Sequence, residues 1–361
     1  MIYWAKDTAG FLVKNRSLEQ PLHRQTTYLT PSDQFFVCNS GTTPKIAPED
    51  YRLTIRGDAV GTEITLSLAD LQALPQHMVP AIIECAGNHR VLYEDVMGEQ
   101  LNKRPDVIEL KWGLGAVGMA EWRGVPLHIL LERAGITEAA YHVCFTGGEA
   151  DSRDGEVKVP IPVAKAMDAD TIIALEMNGE PLPLDHGFPA RALVPGWIGT
   201  CSVKWLSEID VRTDHLWVKR NTEKYVLMGE HWPQPQYAPA LGAPISEQNI
   251  KSSLALPWPA ELPPGKHTIA GFARAPSAPI REVDWSADGG AHWHPAELDG
   301  PNEKYGWAPF HFEWTATPGK HALMTRATDT DGNRQPMSIL FNNGGYMFNA
   351  VHPHPVVVAE T

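Results

Sequence analysis

Eight prolines fall between residues 233 and 264 (Pro233, Pro235, Pro239, Pro244, Pro257, Pro259, Pro263 and Pro264), and the chain reads differently on either side of them. Proline fixes φ and removes a backbone donor, so such a stretch reads as a connecting segment rather than a helix or a central strand. At 361 residues the chain is also too long for one ordinary core. Two domains are therefore expected, over residues 1–235 and 236–361.

Ahead of the prolines, short helical and strand patterns mix without regular alternation, which points to an α+β domain. Residues 51–55, 141–145 and 171–175 read as strands. A short helix is expected over 65–74, capped by Ser67 and stopped at Pro75. A second has Pro126 at its first turn, Leu127, Leu130 and Leu131 on one face, and Gly135 just past its end. Beyond the prolines only strands are expected, at 269–273, 282–285, 292–294, 310–314 and 322–327. The turns 288–290 and 329–333 between them contain glycine. That rhythm reads as a β-sandwich.

The formal charge of -13 argues against nucleic acid, because phosphate backbones need a basic surface. An anionic ligand would need a local basic pocket. Cys38, Cys85, Cys144 and Cys201 are spread widely, with no CxxC pair, which is neither a zinc spacing nor a disulfide framework. No apolar run is long enough for a membrane span, and the N-terminus shows no signal segment. As written, a cytoplasmic protein is expected, or a periplasmic one if a leader has been trimmed.

Two segments could carry chemistry. Apolar Ala81-Ile82-Ile83 runs into Glu84-Cys85-Ala86-Gly87-Asn88-His89-Arg90, which sets a thiol beside potential positive charge. Positive charge favours the thiolate, the form that binds metal or attacks carbon, although an inert core cysteine would also fit. Further on, Asp185-His186-Gly187-Phe188-Pro189-Ala190-Arg191 and Val194–Trp205 combine glycines with His186, Arg191 and Lys204. Glycine allows close backbone approach to a ligand, and Arg and Lys donate to phosphate. A glycine-rich turn with surface charges is the plainer alternative.

Taken together these blocks resemble the sulfite oxidase family of molybdenum-cofactor enzymes, over nearly the whole chain. The matching pieces include Phe35-Phe36-Val37-Cys38-Asn39, the 84–90 block, Glu121-Trp122-Arg123-Gly124, Glu176-Met177-Asn178-Gly179, Asp185–Arg191 and Val203-Lys204-Trp205. Residues 326–336 fit the family's dimerisation sandwich. The resemblance implies a sulfite-oxidase-type molybdopterin-binding domain followed by an immunoglobulin-like β-sandwich that pairs two subunits. It also implies a molybdenum–molybdopterin cofactor.

Residue by residue, the metal-ligating thiolate falls on Cys85. The resemblance puts Phe36, Val37, Cys38, Asn39, Ser40, Glu149, His186, Arg191, Ser202, Val203 and Lys204 against the cofactor. Arg90, His89 and Tyr225 fall at active-site positions. The reaction implied is oxygen-atom transfer, sulfite to sulfate, with electrons leaving to an external acceptor of cytochrome c type. An S- or N-oxide reductase and a sulfite-inactive cofactor-binding protein are the alternatives.

The chain departs from the family in charge. Sulfite-oxidising relatives usually carry arginine where this chain has Cys38 and His89. A small oxyanion in a desolvated pocket needs compensating cations. The expectation is weaker sulfite binding, another substrate, or protonated His89 filling the gap. Three lesser readings also arise. Cys85 and His89 could be a nucleophile and its base. His292 and His294 could share a metal. Residues 329–333 could be a calcium loop, although an ordinary turn fits better.

Overall fold

Two five-stranded sheets build most of the first half of the protein, beside a small one of Leu12–Lys14, Ser17–Glu19 and Val37–Cys38. The computed structural model describes residues 3–101, 110–149, 151–152 and 155–360. In one sheet Glu180–Pro181, Ile172–Met177, Val117–Pro126 and His77–Glu84 lie side by side, and Arg191–Leu193 also pairs with Ile172–Met177. All its ladders are antiparallel. The other runs Ile64–Ser67, Arg52–Arg56, Glu208–Arg212, His142–Gly147, Val157–Pro162, with one parallel pair between Arg52–Arg56 and Glu208–Arg212. Alternate residues of this second sheet, such as Val143, Phe145, Val159, Ile161, Ile209 and Val211, share one core with Leu127, Leu130 and Leu131.

Helices contribute less than the sequence pattern implies. The longest among the described residues is Leu127–Arg133, with Pro126 as its N-cap residue and Gly135 in the left-handed region at φ 71° beyond it. The helix expected over 65–74 is shortened to Leu68–Gln72. Ile64–Ser67 instead forms a strand against Arg52–Arg56, because the sheet edge offers those backbone groups a ladder. Ser67 caps as expected. Its hydroxyl accepts from the Asp70 N–H at 3.2 Å, and its own N–H donates to the Asp70 carboxylate at 2.9 Å.

The second half is a β-sandwich. One sheet holds Lys251–Leu254, Gly265–Arg274, Trp307–Ala316 and Glu297–Leu298. The other holds Ala260–Leu262, His354–Val358, Gly319–Asp329, Ile280–Ser286 and His294–Pro295. Ile269, Phe310 and Phe312 from the first meet Val283, Leu323 and Val356 from the second in a common core.

Neither metal reading in this half gains support. The Asp329 carboxylate is spent on its own turn, accepting from the N–H groups of Asp331 (3.1 Å) and Asn333 (2.8 Å). His292 pairs with Asp288 at 2.7 Å, while His294 lies against the Trp285 ring. Among the described residues no group of three or more His, Cys, Asp or Glu is placed to hold a metal.

One buried ionic cluster joins the halves. Glu84 ends the strand His77–Glu84, and its carboxylate accepts from Lys251 Nζ at 2.9 Å and Arg274 Nε at 2.7 Å, both from the sandwich. All three residues are buried. Burial alone would push the Glu84 carboxyl up, but Arg274 and Lys251 outweigh it and hold it at about 2. The C-terminal stretch then returns over the first half: the Met347 N–H donates to Ala86 O at 2.8 Å and Tyr93 Oη to Tyr346 O at 2.8 Å.

Glu84→Gln keeps the shape and leaves two buried cations uncompensated, so denaturant unfolding should show a loss of about 3–5 kcal/mol. The pH dependence has a definite sign. A carboxyl held at about 2 instead of its ordinary 4.5 stabilises fully above that ordinary value, and the contribution disappears as pH falls toward 2. Unfolding free energies measured from pH 6 downward should fall less steeply for Glu84→Gln than for the parent protein.

Candidate active site

Cys85 sits where the strand His77–Glu84 runs out, and the next turn is tightly specified. The Cys85 N–H donates to Ala116 O at 3.0 Å, and its carbonyl accepts from the Asn88 N–H at 2.9 Å. Asn88 locks the turn by donating to the Glu84 carboxylate (2.9 Å) and accepting from the Ala116 N–H (3.1 Å). The Arg90 guanidinium packs over Gly87 where a Cβ would stand, so a larger residue there would displace that side chain. His89 adopts φ 70°, an uncommon conformation for a side chain of its size.

The thiol faces a cleft of about 720 Å³. Cys38 comes to the same wall, and the two thiols hydrogen-bond to each other. That contact stabilises one thiolate by donation from its neighbour and pushes the second ionisation up. Arg90 and Lys251 add positive field near Cys85.

The lining also carries cations. Arg191 is buried, and its N–H groups reach only carbonyls: His186 O at 3.0 Å, Ser202 O at 2.8 Å and Ala192 O at 3.4 Å. Burial pushes its guanidinium down to about 9, with no carboxylate among the described residues to offset it. Lys204 donates to Asn39 Oδ1 and to Asp185 O, and burial brings it down to about 8. His186 is held neutral by burial and by Lys6, Lys204 and Arg191. Lys6 Nζ lies 2.9 Å from His186 Nε2, while the N–H groups of Ala5 and Lys6 bond to the Asp185 carboxylate.

Of the residues singled out in the sequence, Phe36, Cys38, Ser40, Cys85, Glu149, His186, Arg191, Ser202, Val203, Lys204 and Tyr225 line this cleft. Val37 and Asn39 sit behind it, Asn39 reaching Lys204. Arg90 is not on the lining. It donates to Gly345 O at 3.3 Å and Leu110 O at 2.6 Å, and its guanidinium lies over the Tyr346 ring.

His89 is turned toward the sandwich, with Nε2 at 3.1 Å from Ser253 Oγ. Burial and the neighbours Lys251, His352 and Arg274 hold it neutral, which removes the expectation that a protonated His89 supplies the missing charge. It is also not placed as a base for Cys85. Sequence reasoning missed Lys6, Thr200 and Arg220. Arg220 Nη1 donates to Thr200 Oγ1 at 3.0 Å and to Tyr225 Oη at 3.4 Å, and Nη2 to Ser40 Oγ at 3.4 Å. Only a pattern linking Arg220 to Tyr225 across five residues could have found it.

This donor set fits a phosphate-bearing metal cofactor. Sulfur donors suit a soft redox metal, and buried Arg191 has no countercharge until an anion arrives. The comparisons agree with that chemistry. Residues 40–217 match the oxidoreductase molybdopterin binding domain, and 243–359 match the Mo-co oxidoreductase dimerisation domain.

The chain is 35% identical to sulfite oxidase of Gallus gallus over 345 residues, covering 90% of this chain and 72% of that one. It is 33% identical to mitochondrial sulfite oxidase of Rattus norvegicus over 343 residues, 90% of this chain but 61% of that one. An inducible nitrate reductase [NADH] of Glycine max is 31% identical over 92% of this chain and 40% of its own length. In structure, the sulfane dehydrogenase SoxCD from Paracoccus pantotrophus superposes with a TM-score of 0.82 at 26% identity, covering 98% of this chain and 86% of that one. The chain thus spans about 61% of the length of the mitochondrial relatives.

Fold and site define a molybdopterin-binding domain joined to a dimerisation-type sandwich. The chain belongs to the sulfite oxidase family, and its cofactor is molybdenum–molybdopterin.

Arg191→Met should separate cofactor binding from folding. Without the cofactor this variant should unfold at the same denaturant concentration as the parent or higher, since it removes an uncompensated buried charge. Molybdenum content after purification should fall roughly 10- to 100-fold, the loss expected for a charge-assisted contact to phosphate.

Proposed function

We propose that this protein oxidises sulfite to sulfate by oxygen-atom transfer and passes the electrons to an external acceptor of cytochrome c type. The observation that supports this most is the convergence of the Cys85 thiol, the Arg191 and Lys204 cations and the Tyr225 phenol on one cleft. When bound, the cofactor supplies two-electron oxygen-atom transfer chemistry. Cys85 would bind its metal, and Arg191, Lys204, Ser202 and neutral His186 would hold its pterin and phosphate.

The chain's own groups prepare the substrate side. Burial pushes Tyr225 up to about 12, so it stays a phenol and can donate to an oxyanion across the working pH range. Phe36, Ile83 and Val157 give apolar walls that limit water, and Glu149 orders the nearby loop by accepting from the Ser40 N–H at 3.0 Å.

Charge keeps a second reading in play. Cys38 and neutral His89 stand where sulfite-oxidising relatives usually carry arginine, which favours an S- or N-oxide reductase or another oxidation. The nitrate reductase and sulfane dehydrogenase similarities point the same way. We also propose that the domains divide at 235/236 and that residues 236–361 form an immunoglobulin-like sandwich pairing two copies; the dimerisation-domain match supports the pairing.

Cys85→Ser should lose its molybdenum and bring sulfite-dependent cytochrome c reduction to background, with an unchanged circular dichroism spectrum. Full turnover in this variant would overturn the assignment. Molybdenum-loaded parent protein that ignores sulfite but reduces nitrate or a sulfoxide would move the function to the second reading.

A further inference from the structure

A further cation, Arg220, lines the cleft. Arg220 opens a single π-helical turn, Arg220–Lys224, in which the Tyr225 N–H donates to Arg220 O at 3.0 Å. π-Helical turns are rare and recur at functional sites. This one brings the Arg220 guanidinium and the Tyr225 hydroxyl together on the lining, beside Ser40 and Thr200.

Among the described residues, the other cations near the cleft are committed. Arg191 is bound to three carbonyls, Lys204 to Asn39 and Asp185, and Arg90 to the carbonyls of Gly345 and Leu110. Arg220 differs, because its partners are the neutral hydroxyls of Ser40, Thr200 and Tyr225. Two of those contacts are 3.4 Å long, slack of the kind that tightens when a ligand arrives. Ser40 and Tyr225 accept from Arg220, and each hydroxyl also carries an O–H that can turn toward a ligand oxygen, Tyr225 from its contact with Thr200.

We propose that Arg220, with the hydroxyls of Ser40 and Tyr225, is the seat of a singly charged oxyanion and sets the substrate specificity of this site. The inference rests on the oxygen-atom-transfer function proposed above. A forked guanidinium offers two parallel donors to one oxyanion, and one such cation compensates one negative charge in a desolvated pocket. The preferred ligand is therefore a monoanion such as hydrogensulfite or nitrate rather than a dianion such as sulfate.

The test uses molybdenum-loaded parent protein with Arg220→Gln and Arg220→Lys. Calorimetric titration with nitrate and with sulfate reads anion binding in the resting protein, and sulfite kinetics read turnover. Arg220→Gln should weaken nitrate binding and raise the sulfite KM roughly 10- to 100-fold, with kcat at saturation changed far less and molybdenum content unchanged. Arg220→Lys keeps the charge without the fork and should fall between the two.

Equal nitrate affinity and KM in the parent and Arg220→Gln would overturn the seat while leaving the sulfite reading intact. Sulfate bound by the parent as tightly as nitrate would overturn the preference for one charge. Nitrate binding lost in Arg220→Gln, with no sulfite turnover in the parent, would remove the sulfite reading and keep the seat.

Discussion

The contact on which the rest depends is the carboxylate of Glu84 buried between Lys251 and Arg274. A charge in that position is tolerated only because both cations arrive with good hydrogen-bond geometry. Their arrival fixes where the sandwich sits on the first half. Glu84 is also the residue before Cys85, and its side chain holds Asn88 inside the following turn. Domain packing and thiol placement are thus one constraint. A shift of the sandwich would move the strand end that presents the sulfur.

The same logic explains how a protein of formal charge -13 can build an anion site. Long-range repulsion is screened over about 8 Å at physiological salt, so local groups decide. Among the described residues, the cleft lining gathers Arg191, Lys204 and Arg220 against the single carboxylate of Glu149. Arg191 is the most telling of these. A guanidinium dissolved in backbone carbonyls is a poor stabiliser of the fold and a good receiver for phosphate.

Much of this was legible locally. The apolar run 81–83 leading into a cysteine and a small-residue turn showed in the sequence, as did the Ser67 cap and Gly135 beyond the helix that opens at Pro126. What failed depended on contacts remote in the chain. Residues 65–67 look helical until the edge of Arg52–Arg56 claims their backbone. Lys6 reaches His186 across 180 positions, which no local pattern encodes. Arg220 was hidden because a five-residue spacing to Tyr225 matches neither helix nor strand periodicity.

His89 shows how the anchor and the specificity of the site are linked. From sequence alone, a histidine in an arginine's place reads as a replacement cation. In the fold, burial discharges it, and Lys251, His352 and Arg274 add to the effect. The cations that secure Glu84 therefore help keep His89 uncharged. Arg220 lines the cleft itself, facing hydroxyls that neither neutralise nor repel it.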